Sequence, residues 1–457
     1  MKKIFILTLS VLLGLSTSCD SVLEVEPVSQ ILAENFYSDA DGAEAALMNA
    51  YDWVQNPVTQ NFIIVPGIVS DEAIMTRGGN FTRHHNFVPT PVQGNVGDMW
   101  RNMYFGVQAC NDVLENVPTI DDPALNADQV MGEAYFLRGM VFFYLTRLYG
   151  KIPLITEASK SANQDFNVPR NEVNEVFEQI ISDLTTAEDL LGAESQNRAR
   201  ASKGAARAML AKVYLYRNAP GDLELALAET EEVMADNQYQ LVAGTDYASL
   251  FTVGQQNTSE TIFELSYRPN TSVENQNLDR ETVPFPNNDP RMAPTEKIIE
   301  AFNQNPEDLR LPVSLDTISG RTYIRKYQNA PADDVARGTQ ASNVIILRLA
   351  DVILMRAEIL NELGRTGEAI PFLNQIRERA GIGPTDAVNQ DEVRLAIENE
   401  RFLELAFEGQ RWFDLIRTNR VVEVIGERLF DSDRILWPVP GRDIDLNPNL
   451  LPQNPSY

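Results

Sequence analysis

The sequence predicts a mainly α-helical protein, in which helix pairs form a superhelical scaffold and two long irregular segments interrupt it. Three observations predict this. Apolar residues recur three or four apart over many stretches of helical length. Those stretches fall into four weakly similar pairs, which is the mark of a helical repeat. Two runs, about 55–98 and 240–342, are instead rich in Pro, Gly and Asn and hold no sustained period.

The first eighteen residues read as a targeting segment. Lys2 and Lys3 precede a mostly apolar run from Ile4 to Leu15 that is too short to cross a bilayer. Ser16, Thr17 and Ser18 then lead to Cys19, which reads as a lipoprotein processing site with acylation of its sulfur and new amino group. Ser16 stands where the commonest such motif has Leu, and an ordinary signal peptide with a coincidental Cys is the alternative. Residues 20–36 read as an extended tether. A helix follows over about 39–52, with Ser38 as its N-cap. The 55–98 stretch reads as loop with a strand or two, including the apolar run Phe62-Ile63-Ile64-Val65. Helix resumes over 98–116.

The helix pairs come next. The first joins 127–149 to 173–191, and the second joins 203–217 to 223–235, where Ala211, Tyr214, Ala226 and Ala228 look tetratricopeptide-like. The third joins 348–363 to 368–379 through the turn Gly364-Arg365-Thr366-Gly367. The fourth is 392–408 followed by 410–425. Within it Phe402, Leu405, Ala406, Trp412, Phe413 and Ile416 mark one face. Helical spacing puts Glu404 within reach of Arg401 and Glu408 within reach of Arg411. Gly409 either breaks this run or lets a neighbouring backbone come close. In the second irregular segment only 261–267 and 322–326 look strand-like, with one helix over 295–302 capped by Thr295. The tail from Ile435 to Asn449, interrupted by Pro438, Pro440 and Pro448, cannot be helical and packs across the scaffold.

Composition bounds the function. With 44% hydrophobic and 23% charged residues the 457-residue chain is globular, and it is taken as one domain, 19–457, behind the segment 1–18. The repeats occupy about 127–235 and 343–425 of it. A net charge of −27 argues against nucleic acid and against an anionic membrane surface. If Cys19 carries lipid, Cys110 has no disulfide partner and reads as a small buried residue. No later apolar run approaches a spanning helix, so the chain reads as anchored, not threaded. There is no G-x-S-x-G, H-E-x-x-H, P-loop or dinucleotide fingerprint, and the only histidines are the adjacent His84 and His85. A histidine triad or multi-histidine zinc site is not expected, and no metal, cofactor or catalytic residue is assigned. Sixty-five acids guarantee close carboxylate pairs, so such pairs carry no information here.

The wording of the fourth pair says more than its period. The run from Glu400 through Arg401, Glu404, Leu405, Ala406, Phe407, Glu408 and Gly409 to Arg411, Trp412, Phe413, Asp414 and Leu415 resembles the signature of the SusD/RagB family of bacterial outer-membrane nutrient-binding lipoproteins. Asn111, LENVP at 114–118, GKIPL at 150–154 and the closing tail resemble the family's other phrases. The resemblance implies a surface protein that captures oligosaccharides, or peptides in some branches. It would pass them to a partner SusC-like TonB-dependent transporter on which it sits as a lid. It also implies that the repeats face the transporter and that the ligand lies on the opposite, loop-built side.

Sugar recognition needs flat aromatic faces and planar hydrogen-bonding groups, and both irregular stretches carry that mixture. In the first the candidates are Asp71, Arg77, Asn80, Phe81, Arg83, His84 and His85. In the second they are Tyr267, Arg268, Asn270, Phe285, Asn287 and Arg291, with Tyr323 and Arg325 behind. For each, the alternative is an aromatic pinning its loop or an Arg paired to a local acid. Trp100, Trp412 and Trp437 read as core or tail packing, Arg411 and Asp414, on the polar side of the last helix pair, as a structural ion pair, and Trp53 stays undecided. The expected function is non-catalytic nutrient capture, most plausibly of a glycan. A surface glycosidase and a tetratricopeptide scaffold for envelope assembly are the competitors.

Overall fold

The computed structural model describes residues 37–457 apart from 80, 160–166, 194–196, 253, 256, 268–277, 285–289 and 328–342. The signal segment, Cys19 and the tether therefore lie outside the described residues.

Ten helices carry the scaffold: α1 Ala40–Val58, α2 Gly94–Asn116, α3 Ala127–Tyr149, α4 Val173–Leu190, α5 Lys203–Arg217, α6 Asp222–Ala235, α7 Leu349–Glu362, α8 Thr366–Arg379, α9 Gln390–Glu404 and α10 Arg411–Arg417. Each packs on its successor from α1 to α9, with α6 meeting α7 across the whole second irregular segment. Local chemistry sets their starts. The side chains of Asn126 and Ser202 accept from Gln129 N and Ala205 N, and Asn389 forms a capping box with Glu392. Gly139 on α3 faces Leu184 of α4, where a Cβ would lie 3.0 Å from Leu184 Cγ, so the two helices approach closely here. The core is lined by buried residues from Ala43 to Leu450, including Trp100, Trp412 and Trp437. Cys110 is buried within it, and burial pushes its thiol up to about 12.

Strand is scarce. β1 Ala73–Met75 pairs antiparallel with β3 Met292–Pro294, β2 Thr261–Leu265 with β6 Val344–Arg348, and β4 Leu315–Ile318 with β5 Arg321–Ile324. The helix Glu296–Asn303 is capped by Thr295 as expected.

Between α9 and α10 lies a buried turn that the rest of the chain converges on. Phe407 has φ of 65°, a strained value for a bulky residue. Gly409 has φ of 74°, and a Cβ there would stand 1.7 Å from Phe62 O. Gly409 thus both breaks the helix and admits a neighbouring backbone. The turn is held from far away in sequence. Phe407 N donates to Glu72, Tyr327 Oη to Phe407 O, Lys326 Nζ to Ala406 O and Arg348 Nη2 to Glu404 O.

The signature carboxylates do not pair with their helical neighbours. Glu404 accepts from Arg310, Arg348 and Arg379, and Glu408 from Arg348 and Lys326. Arg401 donates instead to Asp351 and Asp414, and Arg411 to Asp71 and Glu398. These groups are buried, where an unpaired charge is costly, so each carboxylate collects several cations rather than one surface neighbour. Burial raises the Glu404 pKa, but Arg379, Arg348 and Arg310 outweigh it and hold the carboxyl well below its usual range.

Four other expectations are corrected. Asp39, not Ser38, caps α1 by accepting from Gly42 N. The run Phe62-Ile63-Ile64-Val65 is helical, continuing α1 through Thr59–Ile64 into Val65–Val69. Its residues from 62 to 69 are buried, and a helix satisfies their backbone groups internally. The last helix stops at Arg417 and restarts as Val421–Ile425, because Asn419 takes φ of 57°. The tail contains a short helix, Gly441–Leu446, and Trp437 N donates to Leu148 O as the tail crosses the scaffold.

Removing one member of this network leaves its partners buried with too few counter-charges. Glu404→Ala is expected to lower the unfolding free energy by about 3–5 kcal/mol, read as a fall in urea midpoint at constant slope. A loss below about 1 kcal/mol would show that the network is dispensable to stability.

Candidate functional site

The β1–β3 ladder joins the two irregular stretches, with Met75 opposite Met292 and Thr76 N donating to Arg291 O. It brings Arg291 to the loop of Phe81, with the guanidinium 6.0 Å from the ring centroid. The burial of the candidates separates them. Phe81 and Tyr323 are 4% and 3% exposed, so neither offers a free ring face in this conformation. Tyr323 Oη donates to Asp316, and buried Tyr267 donates to Gln55 O at the end of α1. Buried His84 packs against Trp437 at 4.3 Å between ring centroids, tilted by 43°, and its Nε2 accepts from Asn95 Nδ2. Burial lowers its pKa to about 4, so it is neutral. His85 Nδ1 bonds Ile68 O, Arg291 pairs with Glu281, and Arg325 donates to Pro312 O. Asp71 is buried and bidentate to Arg411, with Lys297 beside it. Arg77 and Arg83 point to solvent. Asn80, Arg268, Asn270, Phe285 and Asn287 lie outside the described residues.

A second region is built by three walls around a cleft of about 480 Å³. The first wall is one face of α2, with Trp100, Arg101, Tyr104, Phe105 and Gln108. The second is an extended segment that presents alternate residues, Pro153, Ile155, Glu157 and Ser159. The third is the tail, whose Asp443, Leu446, Asn447 and Leu450 recur at helical spacing. Hydrogen bonds hold the walls together. Tyr104 Oη donates to Pro153 O at 2.8 Å, and buried Asn111 donates to Ile155 O and Glu157 O. Asn447 Nδ2 donates to Val168 O at 2.8 Å. Phe105 is 43% exposed, and Trp53 backs it at 4.7 Å between ring centroids. Burial, with the Asp443 charge second, pushes the Tyr104 phenol well up, which keeps it a donor.

A family model described as starch-binding and associating with the outer membrane matches residues 23–215, and a SusD family model matches residues 194–428. SusD-like protein P2 of Formosa agariphila is 30% identical, with 100% of both chains covered. The chain belongs to the SusD family. SusD-like protein P38 of the same organism is also 30% identical, over 97% of each chain. Among solved structures, a laminarin-binding SusD-like protein matches with TM-score 0.80 at 24% identity, covering 92% of this chain and 100% of that one. Surface glycan-binding protein A from Bacteroides fluxus matches with TM-score 0.79 at 20% identity, covering 92% and 100%. At these identities the structural likeness establishes the SusD fold.

Within this SusD-family chain, sequence reasoning took Trp100 as core and passed over Phe105, Glu157 and Asp443. Among the described residues, no group of three or more His, Cys, Asp or Glu could hold a metal, and no helix is long and apolar enough to cross a membrane.

Glu72, next to Asp71, links the first loop to the signature turn and is fully buried. Burial and then the Asp71 charge push its carboxyl up to about 8, against a lowering by Phe407 N–H. An unfolded chain releases this proton near pH 4.5 while the folded one retains it, so the stability contribution is full below pH 4.5 and is lost as pH rises to about 8. Glu72→Gln keeps an acceptor for Phe407 N and removes the titration. The variant is expected to gain on wild type in thermal midpoint from pH 5 to 8. Parallel midpoint curves would refute the buried acid.

Proposed function

We propose that the protein is a surface substrate-binding lipoprotein. It captures oligosaccharides or polysaccharide fragments and delivers them to a partner SusC-like TonB-dependent transporter. In this reading Cys19 carries the lipid that anchors the chain in the outer membrane, facing the exterior, and residues 19–457 act as one domain. The observation that carries the reading is membership of the SusD family along the whole chain, with a family model described by starch binding and the outer membrane. The laminarin-binding and glycan-binding fold neighbours are consistent with it. On the loop side, Arg77, Arg83 and Arg291 remain the candidates to donate to hydroxyls, and Asn80, Arg268, Asn270, Phe285 and Asn287 stay in the proposal on their sequence alone. Buried Phe81, Tyr267 and Tyr323 support that surface rather than touch the ligand.

The chain from Asp20 onward, tested against an array of polysaccharides with released sugars followed in the same samples, is expected to bind without cleaving. Hydrolysis would overturn the reading in favour of a glycosidase. Silence across all glycans would shift the ligand to peptides or another nutrient.

A further inference from the structure

We propose that the cleft between α2, the 153–159 segment and the C-terminal tail binds a neutral oligosaccharide, with Phe105 as its stacking platform. The proposal rests on the glycan-capture reading above and assigns a site outside the loops named there. Four observations carry it.

The first is size and form. A volume of about 480 Å³ lies within the range of small-molecule sites, roughly 300–1,000 Å³. The second is that the cleft is preformed. Buried Asn111 and Arg138 hold the backbone of 155–157 from below, with Arg138 itself fixed bidentately by Asp183. Ligand binding therefore does not have to order its walls, which lowers the entropic cost of association.

The third is an aromatic surface with no structural use. Phe105 keeps 43% of its surface in water although α2 has a full core face, and Leu446 across the cleft is 69% exposed. Trp53 supports the ring from behind and fixes its tilt. A rigid ring beside a polar rim is what the C–H face and edge hydroxyls of a pyranose require.

The fourth is charge. Among the described lining residues Arg101 is the one cation, and it is paired with Asp98 at 2.7 Å. Glu157 and Asp443 add two carboxylates to the lining, with Arg442 beside Asp443, in a chain of net charge −27. Carboxylates accept hydroxyl hydrogens well but repel a uronate or sulfate, so the site selects uncharged sugars.

The test is titration of the chain from Asp20 onward with neutral gluco-oligosaccharides and, separately, with oligogalacturonate, reading affinity and the tryptophan fluorescence of Trp53 and Trp100. Phe105→Ala is expected to bind the neutral oligosaccharides about tenfold more weakly and to lose the fluorescence change, with Phe105→Tyr restoring both. An Arg77→Ala/Arg83→Ala variant separates the two surfaces. If it abolishes binding while Phe105→Ala leaves affinity unchanged, the cleft proposal falls and glycan capture stands. Preference for oligogalacturonate would overturn the neutral class. No binding of either probe by the unmodified chain would overturn this proposal, while the polysaccharide array decides glycan capture itself.

Discussion

The structure depends on the buried charge cluster around the α9–α10 turn. Glu260, Glu404 and Glu408 meet Arg310, Lys326, Arg348 and Arg379 in a space from which water is excluded. Such a cluster is weak evidence of added stability, since desolvation opposes each contact, but it is strict about geometry. A register error in any contributing segment strands a buried ion. Three of the seven charged groups, Glu260, Arg310 and Lys326, come from the second irregular segment. That stretch has little period and short strands, so its path is fixed by these ion pairs and by the β2–β6 ladder rather than by helical packing.

The same constraint reaches the first irregular segment. Asp71 is clamped by Arg411, and Glu72 receives Phe407 N–H, so two consecutive acids tie this loop to both ends of the turn. The strained φ of Phe407 is tolerated because bonds from Glu72 and Tyr327 over-determine it. Loops mounted on so rigid a base are the usual place for recognition, which is why the exposed Arg77 and Arg83 remain candidates after their aromatic neighbours turned inward.

Helices were legible in the sequence because a 3.6-residue period needs only local information; α3 and α5 begin and end where their apolar stripes do. The partners of Glu404 and Glu408 were not legible. Helical spacing offers a local cation, while the low-dielectric core demands several, and these arrive from up to 94 residues away. Phe62 to Val65 misled for a related reason: a short apolar run buried on all sides has no period to read. At the candidate surfaces composition marked the loops correctly as mixtures of rings and planar polar groups. It could not say that Phe81 and Tyr323 face inward. Phe105 stayed hidden because the cleft exists only once the tail returns to α2, a contact between residues more than three hundred positions apart.

That return shapes what the cleft can do. Its walls come from three separated parts of the chain and are joined by hydrogen bonds rather than by hinges, so a ligand enters a surface that is already built. A preformed site without closure holds its ligand through contact alone, and its release rate is set by the few stacking and hydroxyl contacts it makes. Under the proposed handover to a transporter, easy release would be an advantage, and several modest sites on one scaffold retain a long glycan better than one tight site. A neutral glycan also gives the strongly acidic chain nothing to repel. Capture then proceeds without the long-range charge steering that would make it sensitive to salt.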